Sequence, residues 1–524
     1  MASFYVENFG CRATQADGAA IEHQFRERGL TRANVPAQAE IVVLNTCTVT
    51  AAADQDARAA IRRIHRQNPK CQIVVTGCYA QRAPDEIAVM PGVSQVIGNS
   101  HKHQLAEIAV LLDITRSPTI AGSQDIEALE GVALSWEGHG FSRAASEEKT
   151  PALAPEVRHF VPITTLTSEN RSPIFVSDIF AHTELLAAPV FDAPNERTRP
   201  NLKVQDGCDN RCSFCVIPYV RGDSRSLPLP QILHETNALV GAGYREVVIS
   251  GINLGRWGRD LTPKMWGGHP RPPRFEDLIR AVLDQTKLEK LRISSVEPMD
   301  WSDELIRLQA ESPRIAKHAH APMQSGSDAV LRRMHRKYRP WHYREKIEKI
   351  HGAMPTAAIG ADVMVGFPGE TDAEFGETLQ LIEALPFTYL HVFTYSPRPG
   401  TPAAAMRNQV PIQVARERNR ILRDIAAEKK LAFMRAFIGK TVEAITLAFP
   451  NLISSDGACI SHCTEALTDN FLKLRLKGRH EANRWVSARV ESVENGMLVA
   501  NTERVRFVEE RRFSAASSGF RYGL

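Results

Sequence analysis

The sequence predicts an α/β protein with three folded parts joined in one chain of 524 residues. Two long stretches alternate short apolar runs with amphipathic segments, which is typical of parallel strands covered by helices. A third stretch, near the C-terminus, alternates apolar and polar residues with a period of two, which predicts antiparallel strands. Since the chain is too long for one hydrophobic core, we expect several domains.

Residues 1–112 are predicted to form a small parallel α/β sheet domain. Three short β-branched or apolar runs read as strands, and each is followed by a segment with helical periodicity. The strands are expected at 3–8, 41–46 and 72–77, and the helices at 12–29, 48–68 and 79–90.

Residues 113–198 differ in composition from the stretches on either side. They are rich in Pro, Ser, Thr and Glu and show weak periodicity. This composition favours a long linker or insertion with some local structure.

Residues 199–438 contain six candidate βα units, which predicts an incomplete parallel barrel. A stretch rich in Trp, Gly and Pro at 256–274 is predicted to be a loop, and 408–438 a long basic helix that leaves the barrel. The candidate strands are 201–206, 245–251, 290–296, 317–324, 359–366 and 389–395.

Residues 439–510 are predicted to form a small antiparallel β domain, arranged as a barrel. Residues 470–477 alternate apolar and basic side chains, and a second pair of such runs surrounds the turn Glu494-Asn495-Gly496. Both patterns suit strands with one face towards a core and one towards water.

The composition favours a protein of the cytoplasm. The formal net charge is +4, which permits a polyanionic partner without demanding one. The sequence shows no apolar run long enough for a membrane span and no secretory leader. Nine cysteines in a reducing compartment favour metal or redox chemistry over disulfides.

Three of these cysteines, Cys208, Cys212 and Cys215, follow a predicted strand within eight residues. Three clustered thiolates can hold a soft metal centre, and thiolates are the usual ligands of iron–sulfur clusters. With three protein ligands, one iron of a four-iron cluster stays open for a small molecule. The alternative is a structural zinc site, which usually requires four ligands from two pairs.

Cys11, Cys47 and Cys78 each follow a predicted strand of the first domain and precede a helix. The carboxyl ends of parallel strands lie at one edge of a sheet, so the three thiols could meet there. The alternative is that they are inert core residues, because buried cysteine is common. The remaining cysteines, Cys71, Cys459 and Cys463, are expected to be structural.

The cysteine spacing Cx3CxxC, with Phe214 before the last cysteine, resembles the radical S-adenosylmethionine (SAM) superfamily. The segments NFGCR, LNTCTVT and VTGCYAQ resemble the N-terminal domain of the methylthiotransferases within it. Further similar segments are SGINLG, RISSVEP, HAHAPMQSGSDAVLRRMHRKY, ADVMVGFPGET and HVFTYSPRPGTP. The C-terminal β domain resembles TRAM, an RNA-binding module.

This resemblance implies two 4Fe–4S clusters, one held by each trio, with SAM as radical source and methyl donor. It implies that the cluster at Cys208, Cys212 and Cys215 cleaves SAM. The first-domain motifs are most similar to the branch that modifies N6-threonylcarbamoyladenosine at position 37 of the tRNA anticodon loop. An external electron donor and a sulfur donor are implied as partners. Alternatives are isopentenyladenosine in tRNA, an aspartate of a ribosomal protein, or a non-catalytic iron–sulfur RNA-binding protein.

Four residues at predicted strand ends are candidates for SAM binding. Gly251 and Asn253 end the second barrel strand, where the superfamily binds the SAM amino group, although a tight turn would also require this glycine. Glu297 and Gln324 lie at comparable strand ends and could face SAM or substrate.

Three basic residues, Lys473, Arg475 and Lys477, are predicted to project from one face of a strand in the third part. Basic strand faces can follow RNA phosphates. The alternative is that charged residues on an edge strand only prevent aggregation.

Overall fold

The computed structural model describes residues 2–116, 171–182, 185, 198–262, 271–448, 463–500 and 506–507. Most of the predicted linker, and Cys459 with it, lie outside the described residues. Among the described helices, none is long and apolar enough to cross a membrane.

The first part is a sheet of six parallel strands in the order β2-β1-β3-β4-β5-β6. These strands are β1 (Ser3–Asn8), β2 (Thr31–Arg32), β3 (Ile41–Thr46), β4 (Gln72–Gly77), β5 (Val93–Ile97) and β6 (Ile174–Phe175). The helices are α1 (Arg12–Glu27), α2 (Ala51–Gln67), α3 (Cys78–Arg82), α4 (Pro84–Ala88) and α5 (Leu105–Arg116).

The central strand β3 is buried along its whole length, as expected for a parallel strand covered on both faces. Helix α2 begins where it does because the Thr50 hydroxyl accepts a hydrogen bond from the Ala53 N–H (3.2 Å). The sequence therefore sets both the strand and the start of the helix that follows it.

Two details of this domain differ from the sequence predictions. The expected helix at 79–90 is two short helices, because Pro84 cannot continue α3. Strand β6 comes from the predicted linker, where it pairs with β5 as the sixth strand. Its two residues are too few to give a periodic signal.

The second part is an open barrel, and the prediction of an incomplete six-stranded barrel is confirmed. Six parallel strands carry one short antiparallel strand, β8, at their edge. The bridges Leu291–Ile315 and Ser295–His320 join the two sheets in which the strands lie. The strands are β7 (Asn201–Asp206), β8 (Arg225–Ser226), β9 (Glu246–Gly251), β10 (Lys290–Ile293), β11 (His318–His320), β12 (Ala358–Val365) and β13 (Tyr389–Thr394).

Helices cover the outside of the barrel, and their apolar faces join the strands in one continuous core. Helix α12 starts at a capping box in which Thr371 and Glu374 bond to each other's backbone N–H. The helices are α6 (Ile217–Arg221), α7 (Leu229–Gly241), α8 (Phe275–Gln285), α9 (Asp303–Glu311), α10 (Asp328–Arg333), α11 (Pro340–Ala353), α12 (Asp372–Ala384) and α13 (Ile412–Arg435).

The third part is a closed five-stranded β-barrel with one further short strand, β19. It closes through the pairing of β14 with β17, and one of its pairs, β16 with β18, is parallel rather than antiparallel. The strands are β14 (Thr441–Thr446), β15 (Cys463–Thr468), β16 (Lys473–Lys477), β17 (Trp485–Glu494), β18 (Met497–Ala500) and β19 (Arg506–Phe507). This small barrel is consistent with the expected TRAM-like domain.

Candidate functional site

Cys11, Cys47 and Cys78 lie at the carboxyl ends of β1, β3 and β4. These strands are parallel neighbours, and their register sets the ends level. Gly10 brings the loop of Cys11 against Cys47, because a Cβ added at Gly10 would lie 2.6 Å from the Cys47 Cβ and 2.9 Å from its Sγ. The fold thus gathers three thiols that are far apart in sequence at one edge of the sheet.

The environment of this first trio disfavours a free thiolate at Cys47. Burial, followed by the neighbouring Cys78 and Cys11, raises the pKa of Cys47 to about 12. The Asn99 amide lies 3.6 Å from the Cys78 Sγ, and the Thr14 hydroxyl lies 3.6 Å from the Cys11 Sγ. Metal ions displace the protons of thiols that they bind. A multinuclear iron centre would therefore compensate the charges of three neighbouring thiolates.

Cys208, Cys212 and Cys215 lie in the loop after β7. A turn brings Cys215 back on Cys212, whose carbonyl accepts the Cys215 N–H (3.1 Å). Burial is the main cause that raises the pKa of Cys208 to about 11 and of Cys215 to about 12. In both trios, burial therefore raises the pKa of at least one cysteine.

Polar side chains from other strands contact the sulfur atoms of the second trio. The Arg336 guanidinium donates to the Cys212 Sγ (3.2 Å) and pairs with the Glu297 carboxylate. The Asn253 amide nitrogen lies 3.6 Å from the Cys208 Sγ. Beside them lies a polar cleft, open to solvent and with about 320 Å³ of empty volume, lined by Cys212, Glu297 and Arg336 among others. A small polar molecule could lie there against the trio.

Of the four predicted SAM residues, two are linked to this trio by hydrogen bonds and two contact other parts of the barrel. Asn253 and Glu297 are joined to it, and the Asn253 Oδ1 is buried without a hydrogen-bond partner among the described residues, which leaves an acceptor for a ligand. Gly251 lies against Gln205, whose side chain would be 2.9 Å from an added Cβ. Gln324 is tied instead to β12, where its N–H donates to the Asp362 carbonyl (2.8 Å).

Each trio offers three thiols and, in the part of the chain that the structure describes, no fourth. Among the described residues the other cysteines are Cys71, at the opposite end of β4 from Cys78, and Cys463, in the C-terminal barrel. Three thiols fit a 4Fe–4S cluster with one iron left open, and they do not complete a four-ligand structural zinc site.

The two trios are adjacent across the boundary between the first domain and the barrel. Cys78 packs against Val216 and Val220, which follow Cys215 directly on α6. The Asn99 amide that contacts Cys78 also donates to the Val220 carbonyl (2.6 Å). The loop of the second trio therefore lies directly against the first.

Comparisons with known proteins agree with this architecture. Residues 3–98 match the family described as Uncharacterized protein family UPF0004, and residues 202–382 match the Radical SAM superfamily. A Bacillus subtilis (strain 168) protein, Threonylcarbamoyladenosine tRNA methylthiotransferase MtaB, is 32% identical over 513 residues, which cover 97% of this chain and 98% of that protein. The chain belongs to the radical SAM tRNA methylthiotransferases.

Other members of the methylthiotransferase family match at similar identity. The Aquifex aeolicus (strain VF5) protein that is also named MtaB is 31% identical, over 92% of this chain and 98% of its own. A tRNA-2-methylthio-N(6)-dimethylallyladenosine synthase from Novosphingobium aromaticivorans (strain ATCC 700278 / DSM 12444 / CCUG 56034 / CIP 105152 / NBRC 16084 / F199) is 32% identical, over 84% of this chain and 86% of its own. The chain is therefore a transferase, and both kinds of relative carry tRNA modification in their names.

In this methylthiotransferase a buried ion network locks the first domain to the barrel. Asp17 of α1 accepts from Lys102 (3.0 Å), Lys203 and Arg221 (2.9 Å), and the last two also bind Asp206. Burial acts to raise the pKa of Asp17, but Lys102, Lys203 and Arg221 outweigh it and hold the pKa well below 3.8. All five side chains are almost completely buried.

A second link between the first domain and the barrel lies next to Cys47 of the first trio. The Arg398 guanidinium, which follows β13, donates to the Thr48 hydroxyl (2.8 Å) and to the Asp54 carboxylate. Arg82 of α3 binds the same carboxylate (3.0 Å). Two independent carboxylate–arginine links therefore fix the position of the first trio relative to the barrel.

The roles of Arg336 and of the ion network could not be predicted from the sequence. Arg336 lies within a motif that the family resemblance includes, but nothing local distinguishes it from the other arginines there. The network joins residues such as Asp17 and Arg221 that are 204 positions apart, and no periodic pattern connects them.

The predicted basic strand is β16. Lys473 and Lys477 are exposed on one face and Arg475 is half-buried between them. Lys473 lies 3.8 Å from the Glu465 carboxylate of β15, which neutralises part of its charge. The structure thus leaves Lys477 as the most available cation of the three.

Proposed function

We propose that this enzyme adds a methylthio group to C2 of N6-threonylcarbamoyladenosine at position 37 of tRNA, using two 4Fe–4S clusters. The observation that carries the proposal is the pair of open three-thiol sites at adjoining strand edges of two interlocked domains. One such site suffices to cleave SAM, so a second one requires a second task, which is to supply sulfur. The names of the relatives support this substrate and favour dimethylallyladenosine as the second candidate.

Each group of residues has one part in this proposal. Cys208, Cys212 and Cys215 would hold the cluster that, when bound, cleaves SAM to a 5′-deoxyadenosyl radical. Asn253 and Glu297 would bind the polar groups of SAM beside Cys208 and Cys212. Gly251 would leave room for Gln205, whose Oε1 accepts the Asn253 N–H (2.7 Å), and Gln324 would line the barrel end.

Cys11, Cys47 and Cys78 would hold the second cluster, at which sulfur is supplied. The Asp17 network keeps this first trio at a fixed distance from the second trio, which orients the reacting groups and leaves little to reorganise during the reaction.

The remaining partners follow from this chemistry. The face of β16 that carries Lys473, Arg475 and Lys477 would contact the phosphates of tRNA, and the target base would enter from the anticodon loop, where bases are unstacked. An external electron donor and a sulfur donor would act with the enzyme in the cytoplasm.

The test is mass spectrometry of nucleosides from total tRNA of cells with and without the gene. We expect 2-methylthio-N6-threonylcarbamoyladenosine to disappear with the gene and to return when the intact gene, but not one carrying Cys208→Ala, is restored. Loss of the 2-methylthio dimethylallyl nucleoside instead would move the enzyme to the second candidate. No change in any methylthio nucleoside would contradict the proposal and turn attention to a ribosomal-protein aspartate.

A further inference from the structure

A row of polar side chains lines the inward face of two neighbouring barrel strands, β12 and β13. On β12, Ala361 and Val363 pack outwards against the helices, so Asp362 between them faces inwards. On β13, Leu390 and Val392 pack outwards, so the inward face carries Tyr389, His391 and Phe393.

Three of these groups, Asp362, Tyr389 and His391, form one hydrogen-bonded chain with His318 and His320 of β11. The Tyr389 hydroxyl lies 2.7 Å from the His318 Nε2 and 2.9 Å from the His320 Nδ1. Both the His320 Nε2 and the His391 Nδ1 lie 3.2 Å from the same oxygen, Asp362 Oδ1. Gly360 makes the chain possible, because an added Cβ there would lie 2.1 Å from the Tyr389 ring.

The buried end of the chain fixes the direction of every bond in it. Burial, followed by Arg292, lowers the pKa of His318 well below 6.5, so this ring is neutral and has one N–H. Its Nδ1 has no partner among the described residues, and a buried N–H without an acceptor is costly. The proton therefore lies on Nε2 and is donated to Tyr389.

The rest of the chain follows from that first donation. Tyr389 must donate its own proton to the His320 Nδ1, so the proton of His320 lies on Nε2 and points at Asp362. Burial acts to raise the pKa of Asp362, but the hydrogen bonds from His320 and His391 outweigh it, so this carboxylate is charged. It accepts from the His391 Nδ1, which leaves the His391 Nε2 as a bare acceptor.

The acceptor end of the chain faces open space. The His391 side chain is 54% exposed, and Asp362 Oδ2 takes no hydrogen bond from the described residues. Phe393, two residues further along the same strand face, is 47% exposed, and its ring lies beside that of His391 (centroids 6.5 Å apart). An exposed aromatic ring suits stacking by a planar ligand. A base could stack on Phe393 with a hydrogen-bond donor towards His391.

We infer that His391 and Asp362 accept the N6–H of the substrate adenosine while the base stacks on Phe393. The inference rests on the proposed function, and it holds for either candidate nucleoside, because both keep one N6–H. His391 thereby positions the base in the barrel by accepting a hydrogen bond from its N6–H. An N6,N6-disubstituted adenosine lacks this N–H.

A metal ion is the competing interpretation, since ligand atoms of His320, Asp362 and His391 lie within 4.8 Å of one another. The proton positions argue against it. A metal ligand offers a lone pair, whereas both imidazole nitrogens nearest the carboxylate carry protons in this chain.

The test compares two variants of the full-length, cluster-loaded enzyme, His391→Asn and His391→Gln. An Asn amide reaches the place of Nδ1 and keeps the bond to Asp362 but offers no acceptor at Nε2, whereas the Gln amide oxygen reaches the place of Nε2. Each enzyme is given an anticodon stem-loop with an N6-monosubstituted adenosine and one with an added N6-methyl group. Iron content checks that both variants are equally folded.

We expect the wild-type enzyme to prefer the N6–H stem-loop by roughly tenfold to a hundredfold in kcat/KM, mostly through KM. His391→Asn should lose that preference and His391→Gln should keep part of it. Asp362→Asn should also lose it, because the new amide can donate to Nδ1 and move the His391 proton to Nε2.

Three results would overturn the inference. One is equal preference in the two His391 variants when the wild type is active, which leaves the proposed function intact. Another is an equivalent of zinc or manganese per chain that Asp362→Asn removes, which would make the three residues metal ligands. If the wild type methylthiolated neither stem-loop, the proposed function would fail as well.

Discussion

Each of the two cysteine trios provides three thiols, but the chain brings those thiols together in different ways. The second trio lies in one loop within eight residues, whereas the first spans residues 11–78 and depends on three strands. The second trio therefore needs only a local turn, but the first exists only after β1, β3 and β4 have paired. A cluster at the first site is thus coupled to the folding of a whole sheet.

Their surroundings differ as well. The second trio faces the polar cleft and receives hydrogen-bond donors from Arg336 and Asn253, which suits a site that exchanges a small molecule. The first trio borders the buried ion network and the packed side chains of α6, and its Cys11 is exposed. The difference fits the roles proposed for them, with SAM turnover at the second site and sulfur supply at the first.

The largest expected effects separate the trios directly. Cys208→Ala should remove about four irons per chain and abolish the release of 5′-deoxyadenosine. Cys78→Ala should also remove about four irons, yet it should leave 5′-deoxyadenosine release and lose only the methylthio product. Chromatography of both products under reducing, anaerobic conditions checks this, and loss of SAM cleavage in both variants would contradict separate roles.

Asp17→Asn tests whether the ion network stabilises the joined first domain and barrel. It leaves three buried cations with one carboxylate, so we expect a loss of about 3–5 kcal/mol in unfolding free energy. Because the pKa of Asp17 is lowered on folding, its contribution is present above pH 4 or so and is lost only in stronger acid. The deficit should therefore stay constant from about pH 8 to about pH 5 in thermal unfolding.

Asp56→Asn, on the exposed face of α2, is the matched control for that experiment and should change stability by less than about 0.5 kcal/mol. Equal stability of the two variants would show that the network contributes nothing to the interface.

Arg336→Leu probes the second trio alone. It removes the donor to Cys212 and leaves the Glu297 carboxylate without its cation, so we expect the KM for SAM to rise roughly tenfold. Arg336→Lys keeps the charge and should recover part of the loss. A change in the ratio of methylthio product to 5′-deoxyadenosine, rather than in KM, would assign Arg336 to the transfer step instead.

Cys71→Ala should have the smallest effect and is the matched control for Cys78→Ala, because the two cysteines lie at opposite ends of β4. It removes a small buried side chain and should cost about 1 kcal/mol of stability. Iron content should be unchanged. A loss of iron in this variant would mean that cysteines of this domain affect clusters through folding alone.

The difference between the trios also explains what could be predicted from sequence. The spacing of Cys208, Cys212 and Cys215 is a local property of the chain, and the six barrel strands have apolar runs that mark them. The first trio could be proposed because a parallel sheet aligns strand ends. Its partners could not, since the contacts of Asp17 and Arg398 with the other domain depend on three-dimensional packing.

The elements that were missed are short or long-range. Strand β6 has two residues, and the break at Pro84 separates two helices of five residues each. The parallel pairing of β16 with β18 reflects barrel closure, which the alternation of apolar residues does not encode. The chain His318–Tyr389–His320–Asp362–His391 combines three strands and was equally inaccessible.

Anaerobic quantification of iron and acid-labile sulfide tests the central claim, that each trio holds its own cluster, most directly. The reconstituted wild-type chain should contain roughly eight irons, and a variant with Cys11, Cys47 and Cys78 all replaced by alanine should contain roughly four. Roughly four irons in both proteins would contradict the claim, because the first trio would then hold no cluster.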